Sequence, residues 1–255
     1  MPGLFAVEMG KGGVALVLLH GFASSHDYWK PVMDRLPANE HVGGRSILAF
    51  DLPGHGRSSP TETARTAEMA DLLLEEFDRR GIAVVHLAGH SMGGAVACLV
   101  ALKQPARVAS LTLLAPGGFG PGINARLIRR YAVAQDETSL TPLLAQFYGS
   151  ARAVPEEAMS AVLADRARPG AGEEYLRIAE TFLSGEDQGV LPLDTLAGLG
   201  IPITVIWGED DVVTPTTQAH RLPSAMQLHL YDGVGHSIGD EIPDEVVRLI
   251  GENVR

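Results

Sequence analysis

The sequence predicts an α/β fold: a mostly parallel central sheet with helices on both faces and a helical cap inserted late in the chain. Three observations carry this. Short, nearly continuous apolar runs alternate with longer stretches of helical period, as strands covered on both faces and their crossover helices require. A serine flanked by glycines stands between one such run and an apolar helix. One region, 117–196, shows helical periods and no convincing strand.

The strands are Val14 to Leu19, Ser46 to Phe50, Val84 to Ala88, Ala109 to Leu114, Ile203 to Trp207 and Gln227 to Tyr231. Between the second and third, Thr63 to Arg80 places Met69, Ala70, Leu73, Leu74 and Phe77 on one helix face, and Gly81 stops the helix. The alanine-rich run Ala95 to Leu102 is a helix, and Glu241 to Val254 is another, with Val246, Val247, Leu249 and Ile250 on its apolar face. Inside the insert the helical periods are Asn124 to Ala134, Leu140 to Tyr148, Glu156 to Ala167 and Glu173 to Leu183. The glycine-rich run Gly117 to Gly122 opens this insert, and Gly198 to Pro202 returns the chain to a strand. The core is therefore expected at 1–116 and 197–255, with the cap at 117–196 between them.

Composition narrows the function classes. The chain has 255 residues, 45% of them hydrophobic and 20% charged, enough to bury a sizeable core. A formal charge of −11 repels a phosphate backbone and an anionic membrane surface, so neither nucleic acid nor membrane is an expected partner. Cys98 is the only cysteine, which excludes an internal disulfide and multi-cysteine metal sites and fits a reducing cytosol. The first apolar run is too short to span a bilayer and follows no basic region, so a soluble, cytoplasmic protein is expected. No dinucleotide or Walker A string occurs.

The chemistry gathers at strand ends. With 29 glycines in the chain, the string Gly89-His90-Ser91-Met92-Gly93 is weak by itself. Its strand-turn-helix context strengthens it, because that geometry pushes a serine into a strained, exposed corner. The helix behind Ser91 aims its free N–H groups at any developing oxyanion. A serine hydroxyl needs a base to take its proton and a carboxylate to orient that base. Glu209, Asp210 and Asp211 follow the strand ending at Trp207, and His236 follows the next strand in Asp232-Gly233-Val234-Gly235-His236. The order is serine, acid, histidine.

None of the other eight histidines competes strongly for the base role. His20 and His55 belong to turn motifs, and His90 sits beside the serine with its side chain expected to point away. His26, His41, His220 and His229 have no partnered context. His86 and His90 have metal-like spacing, yet one lies in a strand and the other in a turn, so no metal site is expected. Arg126, Arg129 and Arg130 are candidate carboxylate anchors, against the plainer reading of a solvated helix face. Phe119, Tyr131, Phe147, Tyr148 and Phe182 are candidates to line an apolar pocket or simply to pack the insert.

Further motifs join these. With His20-Gly21-Phe22, Asp51-Leu52-Pro53-Gly54-His55-Gly56-Arg57-Ser58, and Glu241 and Pro243 behind His236, the chain resembles the α/β-hydrolase superfamily over essentially its whole length. From His86 through the insert to His236 it most resembles the hydrolase-like domain attached to acetoin dehydrogenase acetyltransferase subunits. The resemblance implies an α/β-hydrolase fold and a Ser91–Asp211–His236 triad; the family's spacing after the strand-end glycine selects Asp211 over Asp210. It implies an oxyanion hole from the backbone N–H groups of Phe22 and Met92, and no cofactor. The expected substrate is a small-molecule acyl compound, a carboxylic ester first. A carbon-carbon bond hydrolase, an enol-lactonase or a thioesterase would use the same triad, and a ligand receptor of low turnover would use the same fold. The lysines Lys11, Lys30 and Lys103 lack a lipoyl-like hairpin context, so acyl transfer within a multienzyme complex is not predicted.

Overall fold

The computed structural model describes residues 3–58, 62 and 65–255. The chain opens with β1 (Ala6–Met9) and β2 (Ala15–Leu19), turns through a short helical segment into α1 (Lys30–Met33), and returns as β3 (Ile47–Phe50). Then follow α2 (Thr66–Arg79), β4 (Val85–His90), α3 (Met92–Lys103) and β5 (Val108–Leu114). The long connection to the next core strand holds α4 (Ala125–Val133), α5 (Glu137–Leu144), α6 (Glu156–Arg166), α7 (Ala171–Phe182), the two-residue strands β6 (Leu183–Ser184) and β7 (Asp187–Gln188), and α8 (Leu193–Ala197). The chain ends with β8 (Ile203–Gly208), β9 (Gln227–Tyr231), α9 (Ile238–Glu241) and α10 (Pro243–Asn253).

Among the described residues the central sheet runs β1-β3-β2-β4-β5-β8-β9. All neighbours in it are parallel except β1, which pairs antiparallel to β3. Because the six parallel strands share one direction, their C-terminal ends lie along a single edge, where sheets of this class place their chemistry. The inner strands β2, β3, β4 and β8 are buried at every position, as their mostly apolar runs require.

Helices cover both faces. On one, α2 and α8 pack on α3, which itself lies against β2, β4 and β5. On the other, α1, α9 and α10 pack together, and α10 reaches β5 and β8. Asn253 fixes that last contact by donating to the Leu111 carbonyl at 2.8 Å and to Thr112 Oγ1 at 2.9 Å. α2 buries Met69, Ala70, Leu73, Leu74 and Phe77, the face its period predicts. The expected start of this helix, at 63 and 64, lies outside the described residues; Gly81, at φ 69°, follows its end. α3 is apolar on every side because it lies between the sheet and its neighbouring helices.

Two features differ from expectation. β1 is a half-buried edge strand carrying Glu8, so it lacks the apolar run that marks its neighbours. In the insert, Leu183–Ser184 pairs with Asp187–Gln188 in a hairpin turned at Gly185, where φ is 65°. Two residues per strand are too few to leave an alternation in the sequence. Among the described residues no helix is long and apolar enough to cross a membrane.

Leu73 is fully buried in the α2 face. Leu73→Ala is expected to cost about 2–5 kcal/mol. Urea denaturation should show a lower midpoint with an unchanged m-value.

Candidate active site

The site is assembled by the edge at which β4, β8 and β9 end. Ser91 follows β4 directly, with φ 51° and ψ −117°, a conformation that non-glycine residues adopt only under constraint. The constraint is visible on both sides of the residue. Its N–H donates to the Leu114 carbonyl at 2.9 Å, and its carbonyl accepts from Ala95 at 3.2 Å and Gly117 at 2.9 Å. The turn closes only because two positions lack a Cβ. One at Gly89 would stand 2.8 Å from the Gly94 Cα, and one at Gly93 would collide with the carbonyls of Leu19 and His20. The chain after β2 also comes close: a Cβ on Gly21 would lie 2.7 Å from His90 Nδ1 and 3.3 Å from the Ser91 Cβ. Met92 opens α3, so its N–H belongs to the first turn, which has no intrahelical acceptor.

Asp211 and His236 meet behind this turn. His236 Nδ1 and Asp211 Oδ2 are 2.8 Å apart, and both side chains are buried. Asp211 also accepts from the Val213 N–H at 2.8 Å, the Thr214 N–H at 3.0 Å and the Thr214 hydroxyl at 2.9 Å. Four donors compensate a carboxylate that burial would otherwise penalise. Trp207 holds the loop from below, its indole N–H donating to the Thr214 carbonyl at 3.0 Å. Asp210 points elsewhere and accepts from the N–H and hydroxyl of Ser150 at 3.1 and 3.0 Å.

The His236 loop is fixed by Glu241, which accepts from the Gly235 N–H at 2.9 Å and the Gly149 N–H at 2.9 Å while facing Arg152. His90 Nε2 donates to the His236 carbonyl at 2.9 Å, and its ring stacks on Tyr28 at 4.3 Å. Burial holds the His90 imidazole well below the usual range, and the neighbouring His236 pushes the same way.

The remaining histidines divide clearly. His20 is buried and accepts from the Leu52 N–H at 2.9 Å; burial lowers its pKa. Burial pushes His55 down to about 3 and His86 down to about 4. His26 differs from expectation, because it does have a partner. Asp51 accepts its N–H at 2.7 Å and its ring nitrogen at 2.8 Å, and the bond raises the imidazole pKa. Asp51 lies 25 residues away in sequence, so no local pattern announces the pair. Burial works against the Asp51 carboxylate, but hydrogen bonds from His26 and Arg57 hold it below its ordinary value. Among the described residues no group of three or more His, Cys, Asp or Glu side chains is placed to hold a metal ion.

Two cavities open beside Ser91. The larger, about 760 Å³, is lined by Ser91 and His236 together with Tyr28, Tyr131, Phe147 and Asp165. The smaller, about 280 Å³, is lined by Ser91 and Met92 with Leu99, Ile123, Phe182 and Leu191. Phe22, Ser91 and Ile128 border both. Of the aromatic candidates, Tyr131, Phe147 and Tyr148 line the larger cavity and Phe182 the smaller; Phe119 packs on Trp207 instead. The arginine candidates are not in either cavity. Arg129 pairs with Glu180 at 2.7 Å, and Arg126 and Arg130 face solvent. Thr214, Tyr28, Asp165 and Asp240 also reach the site, and nothing in their local sequence marks them.

A parallel sheet whose strand ends carry these groups, with the serine turn on a central strand, is the architecture of an α/β hydrolase. Residues 16–249 match the model of the Alpha/beta hydrolase family, and the chain belongs to that family. It is 34% identical over 93% of its length to the dihydrolipoyllysine-residue acetyltransferase component of the acetoin cleaving system of Pseudomonas putida, of which it spans 62%. It is 30% identical over 97% of its length to a 2-hydroxy-6-oxononadienedioate/2-hydroxy-6-oxononatrienedioate hydrolase of Burkholderia vietnamiensis, spanning 89% of that protein. The crystal structure of a carboxylesterase from Bacillus subtilis superposes with a TM-score of 0.80 at 19% identity, covering 98% of this chain and 86% of that one. The chain thus has esterases and carbon-carbon bond hydrolases among its neighbours, and it spans about three-fifths of the acetyltransferase relatives.

The close contacts at Gly93 are with backbone, which has little room to yield. Gly93→Ala is expected to cost about 3 kcal/mol. Thermal unfolding should show it as a lower midpoint, larger in effect than Gly81→Ala, where a Cβ meets open space and only the positive φ is unfavourable.

Proposed function

We propose that the protein is a serine hydrolase that cleaves small carboxylic esters through Ser91, His236 and Asp211. The observation that carries this reading is the buried 2.8 Å contact between His236 Nδ1 and Asp211 at the edge where the strained Ser91 turn stands. A carboxylate accepting at Nδ1 keeps the proton on that nitrogen and leaves Nε2 as the base. His236 takes the Ser91 proton as Oγ attacks the ester carbonyl, and Asp211 stabilises the imidazolium that forms. The N–H groups of Phe22 and Met92 receive the oxyanion. The tetrahedral intermediate collapses, the C–O bond to the alcohol breaks, and His236 protonates the departing oxygen. Water then enters, gives its proton to His236, and its oxygen releases the acid from the acyl-enzyme as the proton returns to Ser91. The helices between β5 and β8 act as a cap, since Ile128, Tyr131, Leu144 and Val162 wall the larger cavity.

Carbon-carbon hydrolysis is the second reading, favoured by the Burkholderia relative. That relative's name denotes dicarboxylates, whereas the acidic residues Asp27, Asp34, Glu157, Asp165 and Asp240 edge the larger cavity here. Ester hydrolysis is therefore preferred.

Nitrophenyl esters of graded chain length should be turned over, and Ser91→Ala should lose several orders of magnitude in kcat. A fluorophosphonate should add its mass at Ser91, seen by peptide mass spectrometry. Unchanged turnover in Ser91→Ala, or no adduct where a known serine esterase is fully tagged, would defeat the proposal. Asp211→Asn is expected to lower kcat by about 10⁴ through the wrong imidazole tautomer. Asp210→Asn, which loosens only the Ser150 contact, should lower it far less, and steady-state kinetics separates the two.

A further inference from the structure

The cavity of about 760 Å³ beside Ser91 and His236 is edged by five carboxylates and two basic side chains, Lys30 and Arg35. Those cations are already engaged at the rim: Lys30 bonds Asp34 at 2.7 Å and Arg35 bonds Asp244 at 2.8 Å. Asp165, on α6, and Asp240, on α9, are the more deeply placed pair. Among the described residues no Lys, Arg or His nitrogen stands at ion-pair distance from either. Asp240 accepts from the Tyr148 hydroxyl at 2.6 Å, a neutral donor. Burial pushes both carboxyls up to about 6, so both are charged at neutral pH and hold that charge against the low polarity around them.

The surrounding groups offset part of this excess at Asp165 and leave Asp240 without a cation. Asp165 faces Ser25, His26, Asp27 and Asp51 from the core, Arg166 from its own helix, and Tyr131 and Tyr175 from the neighbouring helices. His26 is tied to Asp51. The Arg166 guanidinium donates to the carbonyls of Ala134, Ala23, Val162 and Tyr131, outside ion-pair distance of Asp165, and its charge weakly favours the Asp165 carboxylate. Asp240 faces Tyr148, Tyr28 and Glu241, and Glu241 is matched by Arg152. The rings of Tyr28, Tyr131 and Phe147 complete the lining, and aromatic quadrupoles favour cations.

On the reading that Ser91 is the nucleophile, we propose that this cavity selects substrates whose group lodged in it is cationic, an alkyl or quaternary ammonium, and rejects carboxylates, with Asp165 and Asp240 as the specificity-determining pair. A carboxylate entering beside these two carboxylates, neither of them in an ion pair, meets repulsion in a poorly screened space, and an ammonium meets the opposite field. The smaller cavity, walled by Leu99, Ile123 and Leu191 and bordered by Arg65, takes the other end of the same ester.

The test compares isosteric esters in which one group is trimethylammonio, tert-butyl or carboxylate, in one series on the alcohol and in a second on the acyl part. In the series whose varied part fills the larger cavity, kcat/KM is expected to rank cation over neutral over anion, each step by about tenfold. Asp165→Asn should bring the cation-to-neutral ratio down several-fold. The wild type gives an independent reading, because the imidazole contribution cancels in that ratio. As pH falls from 8 to 5 both carboxyls protonate, and the ratio should fall through about 6. Equal rates for cation and neutral ester in both series, an anion cleaved as well as its neutral isostere in the series that favours the cation, or a ratio there unmoved by pH would each overturn the selectivity. If no neutral ester is turned over at all, the ester hydrolase reading itself fails, so the two failures are distinguishable.

Discussion

The structure depends on one backbone constraint, the turn that holds Ser91 at φ 51° and ψ −117°. A non-glycine residue in such a region costs on the order of 1–3 kcal/mol and persists only where its surroundings leave no alternative. Here β4 delivers the chain on one side and α3 takes it away on the other. The Ser91 N–H and carbonyl are both bonded, to Leu114 and to Ala95 and Gly117. Relaxing φ would break those bonds, and beside them Gly93 lies too close to the Leu19 and His20 carbonyls to admit a Cβ. The sheet therefore fixes where the serine oxygen can be, and every other group at the edge is placed relative to it.

The acid loop solves a different problem, keeping a buried charge without a cation as constant partner. Asp211 does so with local donors two and three residues on, which supply three of its four hydrogen bonds from its own loop. His236 is then held by contacts to its own loop, from Glu241 at Gly235 and from His90 at its carbonyl. Neither neighbour competes for the ring. His90 stays neutral because burial denies it a proton, and Asp210 is drawn outward to Ser150. Adjacent acids thus take separate tasks, one within the edge and one joining the edge to the inserted helices.

The parts legible in the sequence are those encoded locally. Apolar runs mark the buried strands, the glycines around Ser91 mark the turn, and strand-end positions mark His236 and the acidic run Glu209 to Asp211, within which only the family resemblance points to Asp211. β1 escapes because an edge strand with one covered face carries Glu8 where an inner strand carries valine or leucine. The hairpin at Gly185 escapes because two residues have no period. His26 shows no partner in the sequence because Asp51 comes from another strand end, and such pairs depend on topology rather than spacing. The same holds for Asp165 and Asp240. One lies on a helix of the insert and the other after β9, and only the folded chain puts both into one cavity.

That convergence has a structural cause. The insert is anchored to the core beside the acid and histidine loops. Ser150 bonds Asp210, one residue before Asp211, and Gly149 shares Glu241 with Gly235, one residue before His236. A Cβ on Gly235 would stand 2.5 Å from the Tyr148 carbonyl carbon, so the two segments lie in direct backbone contact. At the other wall Arg166 bonds the carbonyl of Ala23, next to Phe22, and stacks over Tyr131 at 4.3 Å. The helices that shape the larger cavity are therefore fastened to the same short loops that carry Asp211, His236 and Phe22. Insert sequence can change the lining of the cavity while these anchors hold its position, because the anchors use backbone groups and a few fixed side chains.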